Sequence, residues 1–126
     1  MNKLVKLFIT SISAITLALV SFTSSFAKVE GEYIVLGSAI SLTGKYSSNG
    51  VHTQNGYNMA VDRINKMGGV EVQGKKYKFE IIYYDDESNP KRAAQLAERL
   101  IKQDGVHYML GPYSSGLTKA IAPVTE

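Results

Sequence analysis

Two short segments of the chain combine hydroxyl side chains with glycines directly after apolar runs. The first is GSAISLTGKYSSNG, residues 37–50. A phosphate-binding loop needs four residues between its first glycine and its Gly-Lys pair, because its backbone N–H groups must wrap around the phosphate oxygens. Ala39 stands where that first glycine belongs, and Tyr46 stands where a metal-binding hydroxyl belongs. The three-glycine dinucleotide pattern is missing as well, so the spacing argues against a nucleotide site.

The second segment is GPYSSGLT, residues 111–118, which follows the apolar run VHYMLG. We predict that a helix begins there, near Ser114 or Ser115, at the carboxyl edge of a sheet. Open α/β sheets bind ligands at that edge. The two serine hydroxyls and the N–H groups of a first helical turn suit a carboxylate. Capping of the helix by one serine explains the same residues without a ligand, and both interpretations remain open.

Acidic residues and histidines offer little further chemistry. Asp85, Asp86 and Glu87 end a predicted strand, where carboxylates can bind a cation or act as a base. We favour a solvated loop leading into a helix, whose dipole attracts negative charge. His52 and His107 lie 55 residues apart without metal-ligand spacing. We therefore predict no metal, no cofactor and no enzymatic activity, since no base–nucleophile pair can be identified.

The elements that would position these residues alternate between strand and helix. The run YIVLGSAI, residues 33–40, is typical of a strand covered on both faces. A turn-rich segment follows, and then a helical face of Tyr57, Ala60, Val61, Ile64 and Met67. A short strand, a turn at Gly74 and a main strand over residues 77–84 come next.

The next helix is predicted with Asn89 as its N-cap and Pro90 as its first residue. Its apolar face comprises Ala93, Leu96, Ala97, Leu100 and Ile101. A third short strand leads into the last helix, which Pro123 should end or kink. The order β-α-β-α-β-α predicts an open parallel sheet with helices on both faces.

The first 27 residues have the pattern of a secretory signal peptide. Lys3 and Lys6 precede an apolar stretch over residues 7–20, and a small-x-small site ends at Ala27. An uncleaved anchor helix is the alternative, but a membrane span needs about 20 apolar residues and this stretch is shorter. We expect cleavage after Ala27 and a location outside the cytoplasm, either periplasmic or otherwise extracytoplasmic.

The remaining composition excludes several classes of protein. Removing Lys3 and Lys6 from the 14 basic residues leaves 12, against 11 acidic residues. A basic surface for nucleic acid is therefore not indicated. The chain has no cysteine, so it has no disulfide framework and no thiolate metal site.

The order of these motifs resembles a known family, the periplasmic binding proteins of branched-chain amino-acid ABC transporters, of the leucine/isoleucine/valine type. Four pieces carry the resemblance, and together they cover nearly all of residues 28–126: IVLGSAISLTGKYSSNG, GYNMAVDRINKMGGV, YYDDESNPKRAAQLAERLI and GPYSSGLTKAIAPV. The family has two α/β lobes that close over a solute. The resemblance implies the type I fold of this family, with residues 28–126 as an incomplete N-terminal lobe and the chain as an N-terminal fragment.

The resemblance also implies a function and a site. The protein would be the exported binding component of an ABC importer that delivers an amino acid, or a related small amide or carboxylate, to an inner-membrane permease. Ser115 matches the serine that bonds the ligand carboxylate, with Ser114 and Tyr113 beside it. Asn49, in the loop after the first strand, matches a position that faces the ligand side chain.

Three other hypotheses remain. A ligand-sensing domain of a receptor or regulator has the same lobe fold, and a downstream transmembrane or output segment would reveal it. A small exported enzyme would use Asp85, Asp86 or a nearby serine, and turnover of an ester or amide that Asp86→Asn abolishes would reveal it. The last hypothesis is a truncated gene product that folds poorly and has no function. Its bare sheet edge would make it prone to aggregate.

Overall fold

The computed structural model describes residues 29–30 and 32–126. The predicted signal peptide and its cleavage site lie outside the described residues. In chain order the elements are β1 Val29–Glu30, β2 Tyr33–Ile40, α1 Ser47–Lys66, β3 Val70–Val72, β4 Lys75–Asp85, α2 Pro90–Lys102, β5 Tyr108–Met109 and α3 Ser115–Thr125. No helix among the described residues is long and apolar enough to cross a membrane.

The sheet is built around β2, which is parallel to β4 on one side and to β5 on the other. This arrangement confirms the predicted parallel order of the three main strands. Two short strands make the sheet mixed: β1 pairs antiparallel with the start of β2, and β3 forms a hairpin with the start of β4. The short strand before Gly74 was predicted, and β1 was not.

Alternate residues of β2 point to opposite faces of the sheet, as the pleat requires. On one face Val35 and Ala39 are buried against α2, and α3 packs over α2 beside them. On the other face Ile34 and Leu36 lie opposite α1 across an apolar groove. Helices therefore cover both faces, as predicted.

The second helix follows its sequence signals closely. The Asn89 side chain accepts a hydrogen bond from the Arg92 backbone N–H at 3.1 Å, and Pro90 is the first helical residue. Ala93, Ala97 and Leu100 are fully buried. Both the N-cap and the apolar face of α2 are confirmed.

Two helix boundaries differ from the prediction. The third helix continues through Pro123 to Thr125. Of the two effects predicted for Pro123, ending the helix is wrong, and a kink stays a prediction. Ile121 and Leu117 are buried in the core that α2 and α3 share, and this packing offsets the missing N–H of the proline. The first helix begins at Ser47, within the segment predicted as a turn.

Candidate functional site

The carboxyl ends of the parallel strands β2, β4 and β5 meet at one edge of the sheet, and three connections leave it. They comprise residues 41–46 before α1, residues 86–89 before α2 and residues 110–114 before α3. All four predicted site residues lie on two of these connections or in the helical turns that follow them. The structure thus places the candidate site where open α/β sheets bind ligands.

The structure assigns different positions to the two serines of the third connection. Ser114 is the N-cap of α3, and its Oγ accepts a hydrogen bond from the Leu117 backbone N–H at 3.2 Å. Ser115 is the first helical residue and is exposed, and its hydroxyl is not used for the cap. The first turn of α3 contains no acidic residue, so no carboxylate neutralises the partial positive charge of its N–H groups.

Two tyrosines join the first and third connections. The rings of Tyr46 and Tyr113 lie 6.1 Å apart, centre to centre, at an angle of 54°. Tyr113 is 47% exposed, whereas Tyr46 is half-buried. The Lys45 ammonium lies 4.6 Å from the centre of the Tyr46 ring. Sequence reasoning did not place Tyr46 at the site, although an aromatic residue in a glycine-flanked turn was a usable signal.

Asn49 occupies the first turn of α1, and its expected position in a loop is wrong. It is exposed, and its backbone carbonyl accepts a hydrogen bond from the Thr53 hydroxyl at 2.9 Å. In the same turn, Gly50 is buried against the Ser41 carbonyl, with no room for a side chain between them. Asn49 is therefore held by regular helical backbone near the site edge.

The middle of α1 is also tied to the site. The Tyr57 hydroxyl donates a hydrogen bond to the Gly111 carbonyl at 3.0 Å, two residues before Tyr113. Burial raises the pKa of Tyr57. Burial also raises the pKa of Tyr83, with a smaller contribution from Tyr57, and its hydroxyl donates to the Asn58 side chain at 2.8 Å. Both phenols therefore stay protonated at neutral pH and serve as donors.

The acidic residues at the end of β4 form the predicted solvated loop only in part, because Glu87 is exposed and leads toward α2 whereas Asp86 is not exposed. Asp86 is completely buried, and its Oδ1 accepts hydrogen bonds from the Ser41 hydroxyl at 2.6 Å and the Ser88 N–H at 2.8 Å. Asp85 is half-buried, and burial opposes its ionisation. Hydrogen bonds from Thr43, Glu87 and Leu42 outweigh that effect and lower the pKa of Asp85. The local sequence could not reveal this, because most of the donors lie more than 40 residues away.

This edge carries the exposed Ser115 hydroxyl at the start of α3 and the Lys45 ammonium on the first connection. The Tyr46 and Tyr113 rings offer apolar surface beside them. Within residues 29–30 and 32–126, no group of three or more metal-ligating side chains comes together.

Comparison with known proteins gives a consistent result. A family model described as periplasmic binding protein matches residues 34–126. The Leu/Ile/Val-binding protein BraC3 of Rhizobium johnstonii is 33% identical over 100 residues, which are 79% of this chain and 26% of that protein. An amino acid binding protein of Pseudomonas aeruginosa is 33% identical over 113 residues, or 90% of this chain and 28% of that protein.

Solved structures show the same relationship. The branched-chain amino acid transporter substrate binding protein LivJ from Streptococcus pneumoniae, in complex with isoleucine, matches with a TM-score of 0.64 and 31% identity. The match covers 71% of this chain and 25% of that one. A periplasmic binding protein type 1 from Bordetella pertussis matches with a TM-score of 0.60 and 30% identity, over 72% of this chain and 24% of that one. The predicted type I fold class is confirmed, and the chain spans about a quarter of the length of the relatives it matches.

Proposed function

Because this chain belongs to the periplasmic binding protein family, we propose that it contributes one wall of an amino-acid-binding cleft in an exported binding component of an ABC importer. Residues 28–126 form part of the first of two lobes, and the leader over residues 1–27 directs export to the periplasm. The solute is a branched-chain amino acid or a related small carboxylate, and the protein passes it to an inner-membrane permease. No catalytic step is part of this function.

One observation carries the proposal: the capping role falls to Ser114 and leaves Ser115 exposed at the start of α3. A ligand carboxylate at this point would accept hydrogen bonds from the Ser115 hydroxyl and from unneutralised helical N–H groups. Tyr113 lies beside these donors. Asn49, in the first turn of α1, faces the ligand side chain in this arrangement. Relatives named for leucine, isoleucine and valine binding support the choice of solute.

The test is calorimetric titration of the complete gene product with leucine, isoleucine, valine and small polar amino acids. Ser115→Ala should weaken binding by roughly 1–3 kcal/mol, the cost of leaving a polar group unpaired. Ser114→Ala should mainly reduce stability, by about 1 kcal/mol for a lost N-cap. Thr125→Ala, a hydroxyl deletion at the far end of the same helix, is the control.

The possible outcomes separate the parts of the proposal. Unchanged affinity in Ser115→Ala would remove Ser115 from the site. Absence of binding to every amino acid in the panel would reject the amino-acid function of the gene product. A larger loss of affinity in Ser114→Ala than in Ser115→Ala would reverse the roles assigned to the two serines.

A further inference from the structure

Side chains bind the connection after β2 to the connection after β4. The Asp85 carboxylate accepts four hydrogen bonds: its Oδ1 from the backbone N–H groups of Leu42, Thr43 and Glu87 at 2.9, 3.2 and 2.9 Å, and its Oδ2 from the Thr43 hydroxyl at 2.7 Å. Hydrogen bonds to an ionised acceptor are roughly twice as strong as neutral ones. One carboxylate therefore fixes two successive residues of the first connection.

Ser88 makes a second link between the same connections. Its hydroxyl donates to the Thr43 carbonyl at 2.8 Å and accepts from the Tyr46 backbone N–H at 3.0 Å. The latter bond holds Tyr46, the N-cap of α1. Together Thr43, Asp85 and Ser88 form a turn clasp that spans both connections.

The turn clasp leaves little freedom for another arrangement. Gly44 lies between its members at a φ of +79°, and a Cβ there would come within 2.7 Å of both the Glu87 carbonyl and the Ser88 hydroxyl. Glu87 and Ser88 themselves have φ values of 54° and 60°, a region that side-chain-bearing residues seldom adopt. Such backbone persists only where its surroundings enforce it.

We propose that Thr43, Asp85 and Ser88 are positioning residues for the ligand site, although none of them lies among the predicted ligand contacts. The clasp fixes Tyr46, whose ring lies against Tyr113 next to Ser115. It also fixes the first turn of α1, which carries Asn49. The role in binding rests on the proposed function, whereas the role in placing Tyr46 against Tyr113 does not.

The same geometry disfavours a cation or general-base role for Asp85. Both of its oxygens already accept hydrogen bonds from the protein, and the Arg92 guanidinium lies close by, with its Nε donating to the Asp85 carbonyl at 3.1 Å. A proton acceptor or metal ligand needs a lone pair directed at its target. Three hydrogen bonds to Oδ1 and one to Oδ2 commit the carboxylate mainly to holding the two connections together.

The test compares two substitutions of Thr43 in the complete gene product. Thr43→Val removes the hydroxyl while keeping the branched shape, and Thr43→Ser keeps the hydroxyl. Amino-acid affinity is measured by calorimetry, and NMR follows the contact between the Tyr46 and Tyr113 rings and the exchange rate of the Tyr46 amide. Thr125→Val is the matched control, because the Thr125 hydroxyl bonds only locally, to the Ala122 carbonyl.

We expect Thr43→Val to weaken binding by roughly fivefold or more, the usual lower end of coupling between separate positions. It should also speed Tyr46 amide exchange and loosen the ring contact, while Thr43→Ser and Thr125→Val change none of these. A lower melting temperature with unchanged affinity and an intact ring contact would overturn the proposal, since the clasp would then serve stability alone.

The positioning role of the turn clasp can be tested even if the proposed function is wrong. If the unsubstituted gene product binds no amino acid in the panel, the ring contact decides. Its loss in Thr43→Val and retention in Thr43→Ser would support positioning of Tyr46 by the clasp. Its retention in both variants would reject that role.

Discussion

The two faces of the sheet are covered in different ways. On the face of α2 and α3 the central apolar side chains are buried, with Leu100, Leu117 and Val106 at most 1% exposed. An open groove of about 470 Å³ lies only at the edge of that face, lined by Ile101, Val106, His107, Met109, Val124, Thr125 and Glu126. On the face of α1, a groove of about 500 Å³ remains between helix and sheet. It is lined by Ile34, Leu36, Tyr57, Ala60, Val61, Ile64, Phe79, Tyr108 and Leu110.

Polar and backbone contacts hold α1 where apolar packing is incomplete. Near its end, the Asn65 side chain donates to the Phe79 carbonyl and accepts from the Phe79 N–H, both at 2.8 Å. At its start, Gly50 lies directly against the Ser41 carbonyl. The amphipathic pattern is much weaker in α1 than in α2, and burial follows it: α2 buries Ala93, Ala97 and Leu100, whereas α1 buries only Gly50 among its described residues.

The largest expected difference between the faces is in the effect of removing an apolar side chain. Leu100→Ala should destabilise the protein by about 2–5 kcal/mol, because Leu100 is fully buried and leaves a cavity. Ile64→Ala should cost only about 1 kcal/mol, because Ile64 is half-buried beside an existing groove. Urea denaturation measures both. Equal losses would show that the α1 face is packed as tightly as the other.

The next effect compares two glycines of α1. A Cβ on Gly50 would lie 1.8 Å from the Ser41 carbonyl oxygen, so Gly50→Ala must displace backbone and should cost about 1–3 kcal/mol or more. Gly56 has open space around it, and Gly56→Ala should stabilise the helix by up to about 1 kcal/mol. Thermal unfolding of the two variants tests this. Unchanged stability in Gly50→Ala would mean that the start of α1 is not packed closely against Ser41.

Sequence reasoning succeeded where the signals were local. Asn89 and Pro90 start α2 through contacts within one turn, and the buried Ala93 and Leu100 follow from helical spacing. It failed at the start of α1 because Ser47–Gly50 reads as turn, and the partner that presses on Gly50 is supplied by tertiary packing. It failed for Asp86 for the same reason, since Ser41 lies 45 residues away.

At the candidate site the sequence located the connection but not the division of roles. Ser114 and Ser115 are equivalent as residue types, and only the position of the N-cap distinguishes them. The aromatic contact between Tyr46 and Tyr113 could not be predicted, because it depends on how two loops from different strands approach each other. The four predicted ligand-binding residues stay predictions until a ligand is tested.

A smaller effect is expected from removing the Asn65 side-chain amide, which hydrogen-bonds the end of α1 to β4. Asn65→Ala leaves the Phe79 N–H and carbonyl without these partners in a partly buried place, and should cost about 1–3 kcal/mol. Amide exchange at Phe79 should accelerate, because its acceptor is lost. Asn55→Ala, at an exposed position of the same helix, is the control. Unchanged exchange at Phe79 would show that apolar contacts are enough to hold the helix.

The smallest effect is that of acid pH. Protonation of Asp85 should destabilise the connection before α1 without affecting the buried residues between α2 and the sheet. Hydrogen bonds lower the pKa of Asp85 in the folded protein, against the opposing effect of burial. The stabilisation from Asp85 is therefore complete above the pKa of the unfolded chain, and it is lost as the pH falls through the lower folded pKa. An NMR titration should show changes in the chemical shifts of the Leu42 and Thr43 amides at acid pH, because both donate hydrogen bonds to Asp85.

The Val106 amide donates a hydrogen bond to the carbonyl of Leu100 in α2, and its chemical shift should not change in the same titration. Asp85→Asn should remove the acid response of Leu42 and Thr43, because the substituted side chain no longer titrates. A change in the Val106 chemical shift at the same pH as those of Leu42 and Thr43 would mean that both faces of the sheet lose stability as one unit. The contrast between the buried centre of the α2 and α3 face and the polar contacts that hold α1 would then be a difference of packing without a difference of local stability.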